Sequence, residues 1–174
     1  MNEREFYNRV TNSKRDLIGE FLQILHRKKV PYCVIGGVAV NAYCEPMITL
    51  DFDCVVAGQI EKLKERLKER GFKVKTYPHT WEVTHQASDV RIQIQRDQRY
   101  QEFIKNAELH QVLGYRMKVA QKKDLLKSKV WAWQDPERDE IKRDKDLLDI
   151  KRVLQKYSEL EELLGEEIKE RLRG

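Results

Sequence analysis

Two short apolar runs, interrupted by a glycine pair and an acidic pair, stand out in the first third of the chain. The run YCVIGG at residues 32–37 ends in glycines, and the run ITLDFDCVV at 48–56 contains Asp51 and Asp53. Short apolar runs bounded by glycine or proline are typical of buried strands. The small and apolar residues 38–43 between them suit a short helix, so the pattern predicts strand, helix, strand.

Later segments predict further strands and then helices. Glu and Lys interleave over residues 60–71, which end in glycine, and this predicts a solvent-facing helix. Period-two alternation, typical of strands covered on one face, appears in FKVKTY (72–77), TWEVTH (80–85) and DVRIQIQ (89–95). Helical periodicity predicts helices over YQEFIKNAEL (100–109), KKDLLKSKVWAW (122–133) and KDLLDIKRVLQKY (145–157), with a short strand YRMKVA (115–120) after the first.

These elements predict an α+β protein built on one mixed sheet. At 174 residues the chain accommodates one substantial core. No low-complexity linker or internal repeat divides it. We expect an N-terminal helical segment over 1–29, a sheet-containing core over 30–120, and C-terminal helices over 121–174 that pack on the core.

The composition argues against a membrane or secreted protein. Charged residues make up 36% of the chain, and no apolar run approaches the ~18 residues that a membrane span requires. The first residues lack the apolar core of a signal peptide. Cys33, Cys44 and Cys54 lie in or beside apolar runs, which favours reduced thiols over disulfides or a zinc site. We therefore expect a cytoplasmic protein with no membrane partner.

The acidic pair points to metal-dependent chemistry. On a strand, residues two apart share a face, so Asp51 and Asp53 project side by side while Phe52 points into the core. At ~4 Å and an effective dielectric near ~20, two like charges repel by about 4 kcal/mol. A divalent cation would relieve that repulsion, and magnesium prefers one or two carboxylates together with substrate phosphates. The pair therefore indicates phosphoryl or nucleotidyl chemistry.

The glycine pair supplies a second signal. A strand that ends in Gly36 and Gly37 before a helix lets backbone N–H groups approach an anion without obstruction. Alone, a glycine pair is usually a tight turn, and an Asp-x-Asp pair is more often a solvated loop. In this order, on two strands joined by a helix, they are much more specific for a phosphate site aligned with a cation site over one cleft.

The segment VIGGVAVNAY followed by TLDFDCVV resembles the strand, glycine pair, helix, strand and Asp-x-Asp of the DNA polymerase beta-like nucleotidyltransferase superfamily. The later KVAQKKDLLKSKVWAW and DPERDEIKRDKDLLDIKRVL resemble the C-terminal helices of small bacterial and archaeal nucleotidyltransferases, related to type IV abortive-infection toxins and to minimal nucleotidyltransferase antitoxins. The resemblance covers about residues 30–157. It implies the nucleotidyltransferase fold, a mixed sheet with helices on one face and a helical C-terminal segment.

The resemblance also implies roles for single residues. Gly36 and Gly37 would bind the triphosphate of a nucleotide such as ATP, and Asp51 and Asp53 would bind two magnesium ions and carry the catalysis. Lys129 matches a lysine that contacts phosphate, although a surface lysine on an amphipathic helix explains it equally well. The acids at 146 and 149 are expected to be helix-surface or ion-pair residues.

The chain departs from the superfamily pattern at Gln93. Related proteins usually carry a third carboxylate there, which holds the catalytic metal and acts as a base. A glutamine brings no charge and cannot act as a base, so a catalytic role for Gln93 would be altered and a single magnesium ion is the alternative to two. Asp89 and Glu82 are weaker candidates to replace the missing acid.

Three functions stay open at this stage. The first is a nucleotidyltransferase that moves a nucleoside monophosphate from a nucleoside triphosphate to a hydroxyl on RNA, protein or a small molecule. The second is a catalytically weakened nucleotide-binding regulator or toxin–antitoxin component, possible because of Gln93. The third is a nucleic-acid-binding module. Its only support is a mild excess of basic residues over 89–123.

Overall fold

A seven-stranded sheet forms the centre of the computed structural model, which describes residues 1–174. The strands are β1 (Tyr32–Ile35), β2 (Asp51–Val56), β3 (Lys73–Thr76), β4 (Thr80–Thr84), β5 (Arg91–Gln95), β6 (Glu108–Val112) and β7 (Tyr115–Val119). The helices are α1 (Glu3–Val10), α2 (Leu17–Arg27), α3 (Gly36–Tyr43), α4 (Ile60–Glu69), α5 (Gln101–Asn106), α6 (Lys122–Gln134), α7 (Glu140–Lys156) and α8 (Glu166–Arg173). None of these helices has the length and apolar character needed to cross a bilayer.

The sheet is mixed, as the sequence predicted. Its strand order is β3-β4-β5-β2-β1-β7-β6. The pairs β2–β5 and β1–β7 are parallel, whereas β1–β2, β3–β4, β4–β5 and β6–β7 are antiparallel. Helices packed against this sheet complete the predicted α+β fold.

Alternation along the central strands separates an apolar face from a polar one. In β5, Ile92 and Ile94 are buried while Gln93 between them stays partly exposed. In β2, Phe52 is fully buried and meets the ring of Phe21 from α2 edge-on, with 6.0 Å between the ring centroids. The opposite face of β2 and β5 is therefore left to carry polar side chains.

The last turns of α7 and the residue that follows it donate hydrogen bonds to backbone carbonyls at and just beyond the end of α3. Lys156 Nζ and Tyr157 OH donate hydrogen bonds to the Tyr43 carbonyl at 2.7 and 3.2 Å, and Arg152 donates to the Glu45 carbonyl. A helix end leaves carbonyls without intrahelical partners, and cations there also meet the negative end of the helix dipole. These contacts attach α7 to the segment that leads from α3 into β2.

One predicted element is partly wrong. The helix predicted over 100–109 ends at Asn106, and β6 then pairs with β7. Leu113 and Gly114 join the two strands, with positive φ angles of 54° and 78°, as in a tight two-residue hairpin turn. Because Leu-Gly lacks the Asn or Asp that commonly marks such turns, the sequence pattern favoured a longer helix.

The junction between β1 and α3 requires glycine at its first position. The antiparallel register sets Ile35 opposite Asp53, so the next residue passes beside the Asp53 side chain. Gly36 has a φ of +70°, and a Cβ there would lie 2.3 Å from Asp53 Oδ2. At Gly37 a Cβ would meet nothing nearer than Thr49, at 3.6 Å. Steric need therefore explains Gly36 but not Gly37.

We expect Gly36→Ala to lower the free energy of unfolding by about 2–4 kcal/mol, because the left-handed backbone and the collision with Asp53 both oppose a methyl group. The matched control Gly37→Ala should change it by no more than about 1 kcal/mol, since the position is helical and uncrowded. Urea unfolding followed by circular dichroism measures both variants. Equal stability of the two variants would contradict this account of the junction.

Candidate active site

A cleft of about 840 Å³ opens on the polar face of β2, β4 and β5, and its other sides are the start of α3 and the helices α6 and α7. Its lining includes all six residues singled out from the sequence: Gly36, Gly37, Asp51, Asp53, Gln93 and Lys129. The structure thus brings these residues together. Their catalytic, nucleotide-binding and metal-binding roles stay predictions.

Hydrogen bonds hold the loop that leads into the acidic strand. The Asn41 amide clamps Met47, donating to its carbonyl at 2.8 Å and accepting from its N–H at 2.9 Å. Tyr7 from α1 donates its hydroxyl to the Thr49 carbonyl at 3.0 Å, and Thr49 Oγ1 accepts from the Asp51 N–H at 3.2 Å. Nothing in the sequence pattern indicated that Tyr7 and Asn41 support this loop, because the contacts join distant or irregular segments.

Asp51 is engaged in an ion pair at the mouth of the cleft. Arg91 Nε donates to Asp51 Oδ1 at 2.8 Å, with side chains that are 51% and 38% exposed respectively. Exposed pairs of this kind contribute only about 0–1 kcal/mol. A more strongly bound cation or anion would therefore displace either partner at little cost.

Asp53 lies deeper and lacks a partner. Burial raises the pKa of Asp53 from 3.8 to about 6, Lys129 opposes the shift, Asp51 adds to it, and no hydrogen bond stabilises its charged form. A partly buried carboxylate without a hydrogen-bond donor is costly when ionised. Asp53 is therefore the carboxylate in this cleft with the greatest need of a cation.

Gln93 occupies the centre of a row of polar residues across three strands. It is opposite Asp53 of β2 on one side and Glu82 of β4 on the other. Its Nε2 donates to Glu82 Oε2 at 3.1 Å. Of the two candidate replacement acids, Glu82 lines the cleft, whereas Asp89 is exposed and outside it.

Ion pairs build the wall formed by α6 and α7. Lys129 is buried and lies 3.1 Å from Asp146 and 2.8 Å from Asp149, which are further paired with Arg138 and Arg152. Burial lowers the pKa of Lys129, but the two carboxylates outweigh it and the net shift is upward. Lys129 is thus a charged link between two helices. Asp146 and Asp149 are ion-pair residues, as expected.

Two lysines on the rim of this wall have no carboxylate partner. Lys142 and Lys145 lie about one turn apart on α7, are exposed and line the cleft. With them the lining carries six cationic side chains against five acidic ones: Arg91, Lys129, Arg138, Lys142, Lys145 and Arg152 against Asp51, Asp53, Glu82, Asp146 and Asp149. The uncommitted positive charge therefore lies on α7, and the pattern of helix 145–157 alone did not reveal it.

Replacing Asp53 by Asn should stabilise the metal-free protein near neutral pH. The folded state binds the Asp53 proton more tightly than the unfolded chain, with a pKa of about 6 against 3.8. The free energy of unfolding therefore falls as the pH rises through this interval and stays lower above it. We expect Asp53→Asn to gain about 1–3 kcal/mol at pH 7.5 and to lose most of that gain at pH 4.5. Urea unfolding in EDTA at both pH values measures it.

The matched control is Asp51→Asn, which removes the exposed pair with Arg91 and the smaller repulsion that Asp51 exerts on Asp53, but leaves the Asp53 carboxylate in place. It should alter the free energy of unfolding by no more than about 1 kcal/mol at either pH. An Asp53→Asn variant that is no more stable than the wild type at pH 7.5 would show that the carboxylate is well solvated or already paired.

Three solved structures resemble this one. The lincosamide antibiotic adenylyltransferase LnuA, with lincomycin bound, gives a TM-score of 0.58 at 15% identity and covers 82% of this chain and 99% of its own. ANT(2'')-Ia in complex with adenylyl-2''-tobramycin gives a TM-score of 0.60 at 14% identity. The superposition covers 90% of this chain and 95% of the ANT(2'')-Ia chain. An antigenic nucleotidyltransferase-like protein from Paracoccidioides brasiliensis gives a TM-score of 0.55 at 16% identity. That superposition covers 80% of this chain and 74% of the Paracoccidioides chain.

Comparison of the whole sequence with known families and curated proteins identifies no relative. No protein-family model matches it, and no curated protein matches it significantly. At identities of 14–16% the superpositions demonstrate a shared architecture and leave activity to be argued from the site. The chain has the nucleotidyltransferase fold.

Proposed function

We propose that the protein transfers a nucleoside monophosphate from a nucleoside triphosphate to a hydroxyl group of a second substrate. The observation that carries this proposal is the meeting of three features in one cleft: an uncapped helix start, two adjacent carboxylates and unpaired lysines. They match the needs of nucleotidyl transfer, which are a phosphate site, cation ligands and positive charge near the leaving group. The fold shared with known nucleotidyltransferases supports the same assignment.

The start of α3 is the proposed phosphate site. No side chain caps this helix, so its first N–H groups are free to bind an anion, and the helix dipole favours one there. Gly37 lines the cleft beside these N–H groups and carries no side chain that could cover them. Lys142 and Lys145 lie across the cleft and would bind the outer phosphates, while Lys129, held by two carboxylates, contributes fixed positive charge.

Asp51 and Asp53 are the proposed ligands of one magnesium ion. The partly buried Asp53 carboxylate, which accepts no hydrogen bond, fits a cation. The structure contains no cluster of three or more His, Cys, Asp or Glu side chains that could hold a metal, so phosphate oxygens of the nucleotide would complete the coordination. The bound ion would offset negative charge on the phosphates. One ion is proposed instead of two, because Gln93 adds no charge.

The second candidate is a nucleotide-binding protein that regulates a partner or belongs to a toxin–antitoxin pair, and the neutral Gln93 favours it. The narrower likeness to abortive-infection toxins, the cytoplasmic location and an acceptor on RNA or protein all remain proposals. LnuA and ANT(2'')-Ia were solved with an antibiotic and an adenylylated antibiotic respectively, which adds small hydroxyl compounds to the acceptors worth testing.

The deciding experiment incubates the protein with each α-labelled nucleoside triphosphate and magnesium, and offers bulk RNA, lincomycin, tobramycin and cell lysate as acceptors. We expect the wild type to transfer label to one acceptor class and the Asp51→Ala, Asp53→Ala double variant to transfer none. EDTA should abolish the wild-type reaction. Magnesium-dependent nucleotide binding without transfer to any acceptor would instead support the regulatory protein.

Removing the two rim lysines should weaken nucleotide binding without unfolding the protein. We expect Lys142→Ala combined with Lys145→Ala to raise the Kd for magnesium–ATP about tenfold, since two exposed charge contacts together contribute roughly 1.4 kcal/mol. Lys151→Ala, on the same helix but outside the cleft, is the control and should leave the Kd unchanged. Isothermal calorimetry at low and high salt measures these Kd values. The difference in Kd between the double variant and the wild type should be smaller at high salt, because salt screens exposed charges. Equal affinities for all three proteins would show that Lys142 and Lys145 do not bind the outer phosphates.

A further inference from the structure

Transfer to a hydroxyl group requires a group that accepts the hydroxyl's proton. This requirement rests on the proposed function above. Efficient proton acceptors are carboxylates or imidazoles within hydrogen-bond reach of the reacting group. No histidine lines the cleft, so the acceptor of the proton must be sought among its five carboxylates.

Four of these carboxylates are already committed. Asp146 and Asp149 lie in the ion-pair network around Lys129, and Asp51 is paired with Arg91. Asp53 is the carboxylate that the proposed cation would bind. The remaining carboxylate, Glu82, has only the neutral amide of Gln93 as a hydrogen-bond donor.

The position of Glu82 suits a proton acceptor. It lies on β4, opposite Gln93, which in turn lies opposite Asp53, so the three side chains share one face of the sheet. Neighbouring strands are ~4.8 Å apart, which puts the Glu82 backbone about two strand spacings from that of Asp53. Glu82 therefore lies beside the cation site but outside the pair that would form it.

We propose that Glu82 is the catalytic base and that Gln93 positions it. The acceptor O–H gives its proton to a Glu82 carboxylate oxygen while the acceptor oxygen bonds to the α-phosphorus. The bond from the α-phosphorus to the bridging oxygen breaks, and pyrophosphate leaves with that electron pair. The protonated Glu82 then returns its proton to solvent. The hydrogen bond from Gln93 Nε2 holds one oxygen of Glu82 so that the other faces the cleft.

The test compares turnover and nucleotide affinity for variants of these two residues, using the acceptor labelled in the transfer experiment. Glu82→Gln keeps the shape but removes the base, so kcat should fall about 100-fold or more, while the Kd for magnesium–ATP stays within about twofold. Gln93→Ala should lower kcat about tenfold with the same unchanged Kd. The control Glu65→Gln, an exposed carboxylate on α4, should leave both values unchanged.

A rescue variant separates chemistry from structure. Glu82→Gln combined with Gln93→Glu exchanges the acid and the amide between the two opposite positions. The kcat of this double variant should be at least tenfold higher than that of Glu82→Gln alone. If Glu82→Gln retains kcat within threefold of the wild type, or if it loses ATP affinity in proportion to kcat, the proposal is overturned while the transferase assignment stands. A wild type that binds ATP but labels no acceptor overturns both.

Discussion

The antiparallel pairing of β1 with β2 is the constraint on which the cleft depends. It sets Ile35 opposite Asp53, so the chain that leaves β1 must turn beside a carboxylate. Gly36, with its positive φ and no Cβ, makes that turn without collision. The same register brings the uncapped start of α3 to the acidic strand. Backbone N–H groups suited to phosphate and carboxylates suited to a cation therefore become neighbours through one strand pairing.

The cleft holds Asp53 in surroundings that oppose its charge, and α6 and α7 partly offset the cost. Burial raises the pKa of Asp53, whereas Lys129 lowers it. Lys129 keeps its charge because Asp146 and Asp149 flank it. Since functional sites often retain such unfavourable groups at the expense of stability, the ion-pair network is best understood as a support that makes an ionised Asp53 tolerable.

Much of this arrangement could be predicted from the sequence, because strand periodicity, the glycine pair and the acidic pair are local signals. The segment 108–112 could not, since its strand character comes from pairing with β7 and from a turn without a strong sequence signal. The contacts across the cleft could not be predicted from the sequence either, because they join segments that are distant along the chain. Arg91 reaches Asp51 from a parallel neighbour, and Lys142 and Lys145 face the site only because α7 is attached to α3. Local patterns thus identified the acidic strand β2 but not the charges that surround it.

The neutral side chain at Gln93 changes the electrostatics of the whole row. An acid there would lie one strand spacing, ~4.8 Å, from both Asp53 and Glu82, and each contact would cost about 3.5 kcal/mol at an effective dielectric of ~20. With an amide between them, the two acids are ~9.6 Å apart at their backbones and repel by about 1.7 kcal/mol. The amide also donates a hydrogen bond to Glu82. The row therefore needs less compensating positive charge, which supports the proposals of a single cation and of Glu82 as the proton acceptor.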